Sequence, residues 1–157
     1  MTEYGSIVFK KVTTDVEAEM LRRIRNECRL FMTRSIDFIT PEQQLEWFKT
    51  ASEKYDLYLA YQITHGAIII NVGYGLIHKN DDASLLTGGL LPSYRGLGIG
   101  QVLFKFLTDN CSKSKPVRLE VLKTNTKAFI VYIKLGFEVI GETDRLYFME
   151  HKYDSPI

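Results

Sequence analysis

At 157 residues the chain has the length of one domain, enough to bury roughly 70% of its unfolded surface without a metal or a disulfide. Apolar residues make up 45% and charged ones 25%, a balance that excludes disorder, and a formal charge of +1 with no basic stripe argues against a nucleic-acid partner. The stretch Met1-Thr2-Glu3-Tyr4-Gly5 carries no basic leader signal, and apolar runs such as Ala67 to Ile70 are far too short to cross a bilayer, so a soluble, unexported, cytoplasmic protein without a membrane partner is expected.

Ser6 to Val12 alternates as a first strand, and Thr14-Asp15-Val16-Glu17 is a capping box that starts a helix. Val16, Met20, Leu21, Ile24 and Cys28 form the expected apolar stripe of that helix, with Arg22, Arg23, Asn26 and Arg29 on a face read as solvated. After an irregular stretch, Thr40-Pro41-Glu42-Gln43 supplies an N-cap, a proline at the first helical position and a Gln three residues after the cap, giving a second helix to about Ala51. Its Trp47 and Phe48 are read as core, with a pocket wall as the alternative.

Two β-rich runs follow, Asp56 to Ile63 and Ala67 to Ile77, joined by Thr64-His65-Gly66 as a hairpin. Lys79 to Asp82 connects to a third strand that Pro92 ends, so the three strands form an antiparallel meander. Gly88-Gly89 within the third strand predicts a bulge or a close approach by another group. A bulge would turn backbone N–H groups out of the ladder.

Next comes Leu90-Leu91-Pro92-Ser93-Tyr94-Arg95-Gly96-Leu97-Gly98-Ile99-Gly100, which leads from strand into a helix begun at about Gly98. Its glycines leave the backbone bare where the first-turn N–H groups lack intrahelical acceptors. With the helix dipole and the charge of Arg95, this makes a site for phosphate; the alternative is that the glycines serve only the turn and helix packing. It is neither a P-loop nor a dinucleotide fingerprint, because Ile99-Gly100-Gln101 replaces Gly-Lys-Ser/Thr and the spacing is Gly-x-Gly-x-Gly.

Pro116 to Leu122 is a further strand, Asn125 to Leu135 a helix ended by Gly136, and Phe137 to Gly141 and Leu146 to Met149 two closing strands. Strand, glycine-loop helix and strand form a single parallel crossover. No linker or repeat divides the chain, so residues 1–157 read as one domain. Cys28 and Cys111, each placed in a predicted helix without a Cys or His partner at ligand spacing, read as buried thiols in a reducing compartment, and no metal site is expected.

Arg95-Gly96-x-Gly98-x-Gly100 after a strand and a proline resembles the pyrophosphate motif of the GNAT family of N-acetyltransferases, which hold acetyl coenzyme A. A second likeness lies in Leu119-Glu120-Val121, Asn125, Ala128, Tyr132 and Gly136-Phe137. The two motifs together cover Leu85 to Glu142 in the family's order.

The resemblance implies an α/β single-domain GNAT-like fold with a mixed, mostly antiparallel central sheet flanked by helices. It implies a cofactor site at Leu90, Leu91, Arg95, Gly96, Leu97, Gly98, Ile99, Gly100, Asn125 and Tyr132. The expected reaction is direct attack of a primary amine on acetyl coenzyme A, the amine belonging to an amino sugar, a protein or a small molecule. Tyr132 would donate to the departing thiolate, its phenol having a reference pKa near 10 that keeps it protonated at neutral pH; a core tyrosine is the alternative. The N–H of Leu90 would bond the thioester carbonyl and Asn125 the pantetheine arm. Glu120 holds the family position for a base, with a structural carboxylate as the alternative; His78, at the end of a strand, is a weaker rival, a structural or solvated histidine being its alternative. A non-catalytic acyl-CoA-binding or assembly module is the other reading of the whole chain. Phe129, Ile130 and Ile133 make the last helix apolar nearly all round, so it is covered by its own chain or by a second copy, and the resemblance favours a homodimer.

Overall fold

The computed structural model describes residues 6–34, 37–64 and 68–151. In chain order the elements are β1 (Ser6–Lys11), α1 (Asp15–Glu27), α2 (Pro41–Ala51), β2 (Tyr55–Thr64), β3 (Ile68–Lys79), β4 (Ser84–Leu90), α3 (Ile99–Asp109), β5 (Val117–Leu122), α4 (Thr126–Lys134), β6 (Glu138–Glu142) and β7 (Leu146–His151). Single 3-10 turns stand at Arg29–Phe31 and Pro92–Tyr94. The expected order of helices and strands is the observed one. The Thr64-His65-Gly66 turn lies largely outside the described residues.

One seven-stranded sheet runs β1-β2-β3-β4-β5-β7-β6, antiparallel except between β4 and β5. Side-chain alternation gives it two apolar faces. Leu57, Leu59 and Tyr74 pack against Ala18, Leu21, Ile24 and Cys28 of the α1 segment and Ala51 of α2. Ala60, Ile77, Leu86, Val117, Leu119 and Val121 pack against α3 and α4 from the other side. Among the described residues, no helix is long and apolar enough to cross a membrane.

Both capping boxes form, Thr14 with Glu17 and Thr40 with Gln43. The faces of α1 differ from expectation. Val16 is 72% exposed because it sits in the first turn, short of the sheet, whereas Arg22 and Asn26 are buried. Asn26 exchanges two hydrogen bonds with the Ile39 backbone, and Arg22 donates to the same carbonyl at 2.9 Å. These polar side chains thus pin the connection between α1 and α2, a task that helical periodicity does not reveal.

The expected bulge is also elsewhere. The β3–β4 ladder runs unbroken from Gly73–Leu90 to Lys79–Ser84, and the irregularities lie between β2 and β3, where Val72 is the extra residue between Tyr61–Asn71 and Ala60–Gly73, and between β6 and β7 at Ile140. What holds is the close approach. A Cβ on Gly89 would meet the Cys28 Sγ at 2.7 Å, and one on Gly88 would meet the Tyr74 carbonyl oxygen at 3.0 Å and Leu103 at 3.3 Å, so helices press on β4 from both faces at these two glycines. Cys28 and Cys111 are free and buried, although Cys28 caps α1 and Cys111 lies just beyond α3.

Candidate active site

The parallel pairing of β4 and β5 is short. Only Ser84–Val117 and Leu85–Arg118 are in register, after which the strands part while β4 continues to Leu90 and β5 to Leu122. Alternation in the β3–β4 ladder decides what the gap receives. The Leu91 N–H bonds the Val72 carbonyl, so Leu90 occupies a non-bonded position towards β3 and its N–H and C=O face the β5 side. The same alternation turns the Gly88 N–H that way. Backbone donors are therefore presented to the gap by the splay of two strands, where the sequence suggested a bulge.

The Leu90 carbonyl is satisfied by side chains. Arg95 donates to it through Nε at 3.0 Å and the Cys28 thiol at 3.3 Å, while the Arg95 guanidinium stacks over Phe31 at 4.8 Å. Burial pushes the Cys28 thiol pKa up, so it remains a protonated donor. Arg95 thus folds back on the strand end beside the glycine loop.

Gly96 and Gly98 adopt φ of +78° and +83°, and a Cβ on either would meet no atom within 4 Å. The loop is consequently open to solvent on the side a ligand would approach. Gly98 is the N-cap of α3 with no side-chain cap, and the first intrahelical bond comes from Val102 to the Gly98 carbonyl. The N–H groups of Ile99, Gly100 and Gln101 are left without helical acceptors, with no acidic residue in the first turn to compete for them. Free N–H groups at a helix start are the arrangement that favours an anion. Leu97 packs on the core and Ile99 is fully buried, anchoring the loop from below.

A cleft of about 480 Å³ passes through the gap and joins the two faces of the sheet. From the α3–α4 face it is lined by Phe104, Leu119, Val121, Asn125 and Tyr132. Tyr132 is 8% exposed, with its ring edge-on to Phe104 at 4.9 Å, and burial raises its phenol pKa well above the ordinary value. Asn125 caps α4, its Oδ1 accepting from the Ala128 N–H at 3.3 Å, which leaves the Nδ2 amide as the donor of that side chain.

From the α1–α2 face the lining includes Thr33, Arg34, Trp47, Tyr55, His78 and Glu120. Glu120 alternates with the buried Leu119 and Val121 as expected. Its carboxylate accepts from Thr33 Oγ1 at 2.9 Å and from Arg34 Nη2 and Nε at 2.7 and 3.3 Å. The ion pair raises the Arg34 pKa. His78 stacks on Tyr55 with centroids 4.3 Å apart, and Trp47 meets Tyr55 edge-on at 5.2 Å. Partial burial, then the charges of Lys54 and Arg34, lower the His78 pKa. Trp47 thus fills both roles foreseen for it, packing on the core and walling the cleft.

Sequence reasoning missed Thr33 and Arg34. They lie in an irregular connection with no period, and only the three-dimensional path of that connection brings them to Glu120. The splay of β4 from β5 has no local signal either. No group of three or more His, Cys, Asp and Glu that could hold a metal occurs among the described residues.

The model of the acetyltransferase (GNAT) domain family matches residues 53–139, more than half of the chain. The chain belongs to the GNAT acetyltransferase family. The glycine loop and the residues from Leu119 to Phe137 fall within that match, which ends three residues short of Glu142. Comparison with curated proteins finds no match. Among solved structures, the fold is similar to a GNAT superfamily phosphinothricin acetyltransferase from Sinorhizobium meliloti in complex with acetyl-CoA, with 17% identity over 92% of this chain and 87% of that one and a TM-score of 0.73. It is also similar to spermidine N-acetyltransferase from Vibrio cholerae in complex with CoA and spermine, with 14% identity over 92% and 94% of the two chains and a TM-score of 0.73. A third likeness is to ribosomal-protein-alanine N-acetyltransferase from Brucella melitensis, with 17% identity over 93% and 99% and a TM-score of 0.72. At these identities the likenesses show a shared fold.

Proposed function

We propose that this GNAT acetyltransferase moves an acetyl group from acetyl coenzyme A to a primary amine by direct attack in a ternary complex. The observation that carries the reading is the parting of β4 from β5, which turns the Gly88 and Leu90 N–H groups to the gap, beside a cleft that Gly88 and Tyr132 line, one strand end away from the glycine loop. Each part of the donor has a fitting partner. The pyrophosphate goes to the N–H groups of Ile99, Gly100 and Gln101 under Gly96 and Gly98, with Arg95 adding positive charge nearby. The pantetheine arm lies along the edge of β4 past Leu90 and Leu91, with the Asn125 amide opposite.

Chemistry follows from this placement. The amine enters from the α1–α2 face as an ammonium and loses one proton to a base on that face. Its nitrogen attacks the thioester carbon, and the negative charge developing on the carbonyl oxygen meets preorganised N–H donors of β4. The C–S bond then breaks, the sulfur taking a proton through Tyr132 as nitrogen gives up its second one. Because burial raises the Tyr132 pKa, a free tyrosinate is costly; Tyr132 therefore serves as a hydrogen-bond donor and relay that recovers its proton within the step. No covalent acyl-enzyme is required. Glu120 and His78 both stand on the acceptor side as candidates for the base.

The three relatives named above act, by name, on phosphinothricin, spermidine and a protein alanine, which supports nitrogen as the acceptor atom. The buried thiols Cys28 and Cys111 fit a reducing cytoplasm. We place the protein there and expect a homodimer formed through α4 and the adjoining sheet edge. The test is thiol release from acetyl coenzyme A with spermidine, phosphinothricin, glucosamine, an aminoglycoside and an alanine-terminated peptide. Turnover on any of them supports the enzyme. Tight coenzyme A binding with none supports a non-catalytic acyl-CoA-binding module.

A further inference from the structure

Resting on that reading of the cleft as an acyl-transfer site, we infer that His78 takes the proton from the acceptor ammonium, while Glu120 is a positioning residue that holds the Thr33–Arg34 segment as one wall of the acceptor side. Three features of the cleft lead there. The first is the occupation of Glu120. Its two oxygens already accept three hydrogen bonds, two of them from a guanidinium, so most of its roughly four acceptor sites are occupied and the carboxylate is held by Thr33 and Arg34. The pair is exposed on the Arg34 side and contributes little stability, but it ties the connection after α1 to β5 across the cleft mouth.

The second is the placement of His78. It stands on β3 between Tyr55 of β2 and Leu85 of β4, and Leu85 is the last residue of β4 to pair with β5 before the strands part. His78 is therefore at the closed end of the gap, on the face from which the acceptor comes, in the same cleft as Gly88 and Tyr132. Its ring is held flat against Tyr55, with Trp47 bracing Tyr55 from the edge, which fixes the orientation of the imidazole.

The third is its electrostatic setting. The charges that act on it are those of Lys54 before β2 and Arg34 from the α1–α2 connection, and the other titratable groups of the cleft are Tyr55 on β2, Glu120 on β5, Arg25 on α1, Tyr74 on β3 and Tyr132 on α4. Partial burial, Lys54 and Arg34 all favour the neutral imidazole, so the base is in its proton-accepting form at neutral pH. General-base efficiency rises as the pKa nears the working pH, and imidazole, with a reference value of about 6.5, is better placed than a carboxylate. The balance is complete: the ammonium gives one proton to the imidazole, directly or through one water, and the imidazolium returns it to solvent after the acetyl group has moved. Nitrogen's second proton leaves with the thiol.

The test is the pH profile of kcat/KM, measured with the best acceptor of the amine panel on wild type, His78→Gln, Glu120→Gln and Lys54→Gln. Wild type should lose activity on the acid side below pH 6.5, with an apparent pKa equal to that of the His78 imidazole followed by NMR. His78→Gln should lose that limb and fall by about 10²- to 10⁴-fold at pH 7, while coenzyme A affinity by calorimetry stays at the wild-type value. Glu120→Gln should keep the limb and raise KM for the amine. Lys54→Gln should move the limb upward, which a purely structural His78 would not produce. An acid limb that survives His78→Gln, or one that vanishes in Glu120→Gln, overturns the assignment while leaving acetyl transfer intact. Failure of wild type to acetylate every amine overturns acetyl transfer itself, and this assignment with it.

Discussion

Arg95 donates its Nε–H to the Leu90 carbonyl oxygen at 3.0 Å, so the glycine loop and the exposed edge of β4 are tied together by one side chain. The carbonyl it satisfies belongs to the residue whose N–H is turned to the gap between β4 and β5. A residue read from the sequence as charge for a phosphate thus also holds the backbone on which the thioester would rest. Arg95→Met should therefore lower both stability and coenzyme A affinity. A hydrogen bond from a charged group contributes about 1.5–3 kcal/mol, and the stacked Phe31 adds to that. Thermal denaturation with and without coenzyme A measures both effects; Arg95→Lys should not restore them, because an ammonium lacks the planar fork.

Two glycine substitutions separate binding from folding. Gly98→Val places a branched side chain at φ +83°, so it should cost stability, on the order of 1–2 kcal/mol, as well as cover the loop. Gly100→Ala sits in the first turn of α3, where its Cβ would lie 3.9 Å from Leu90 and clash with nothing. In a helix Ala is favoured over Gly by about 1 kcal/mol, so this variant should melt no lower than wild type and still bind coenzyme A more weakly. Calorimetric affinities equal to wild type in both variants would remove the phosphate assignment.

Acid stability should depend on Glu17. Its side chain bonds Lys10 and the Thr13 and Thr14 groups at the start of α1, and these interactions, led by the Lys10 hydrogen bond, lower its pKa from 4.5 to about 2. A depressed folded-state value means stabilisation that is complete above pH 4.5 and lost as pH falls towards 2. Glu17→Gln should flatten melting temperature over that window relative to wild type. Parallel curves for the two proteins would remove Glu17 from the acid transition.

Most of the fold was legible because local chemistry marks it. Capping boxes at Thr14 and Thr40, the stop at Pro92 and the C′ glycine at Gly136, with φ +96°, place helix and strand ends within a residue or two. The geometry of the glycine loop and of the Asn125 cap was legible for the same reason, since Gly96, Gly98 and Asn125 shape the chain through their own backbone and caps. On the acceptor side Glu120 and His78 were legible as single residues, but Thr33, Arg34 and Tyr55 were not, because the meeting of these segments in one cleft depends on strand register and on the course of the α1–α2 connection. Buried Arg22 and Asn26 were misread because a polar face on a helix signals solvent unless a neighbouring carbonyl, here that of Ile39, requires donors.

The homodimer makes a distinct prediction. On α4, Ile130 and Ile133 are 47% and 46% exposed, and Val139 and Ile140 lie exposed on β6, whose outer edge is unpaired among the described residues. A twofold contact here would set the same apolar patch against itself. Phe129 packs on Tyr147 at 5.0 Å within the chain, so charge at that position would disturb folding as well as association. Ile133→Glu is the cleaner probe and should yield a monomer with unchanged melting behaviour at low concentration. Wild-type protein that scatters light as a monomer at micromolar concentration rejects the contact.

Tyr132→Phe tests the chemistry of bond breaking. The ring would keep its edge contact with Phe104 and its place beside Phe137, so packing is largely preserved and only the donor is lost. If the buried hydroxyl serves the departing sulfur as proposed, its removal should lower kcat by about 10²- to 10⁴-fold, with little change in coenzyme A affinity. The raised pKa of Tyr132 adds a sharper expectation, since a donor that stays protonated well above pH 10 produces no alkaline limb in wild type within the range where the protein is folded. The loss in Tyr132→Phe should accordingly be constant from neutral to alkaline pH. Donors whose thiol leaving group has a lower pKa should suffer less, because they need the proton less. A variant that retains full kcat under conditions where chemistry limits the rate assigns Tyr132 to the core alone.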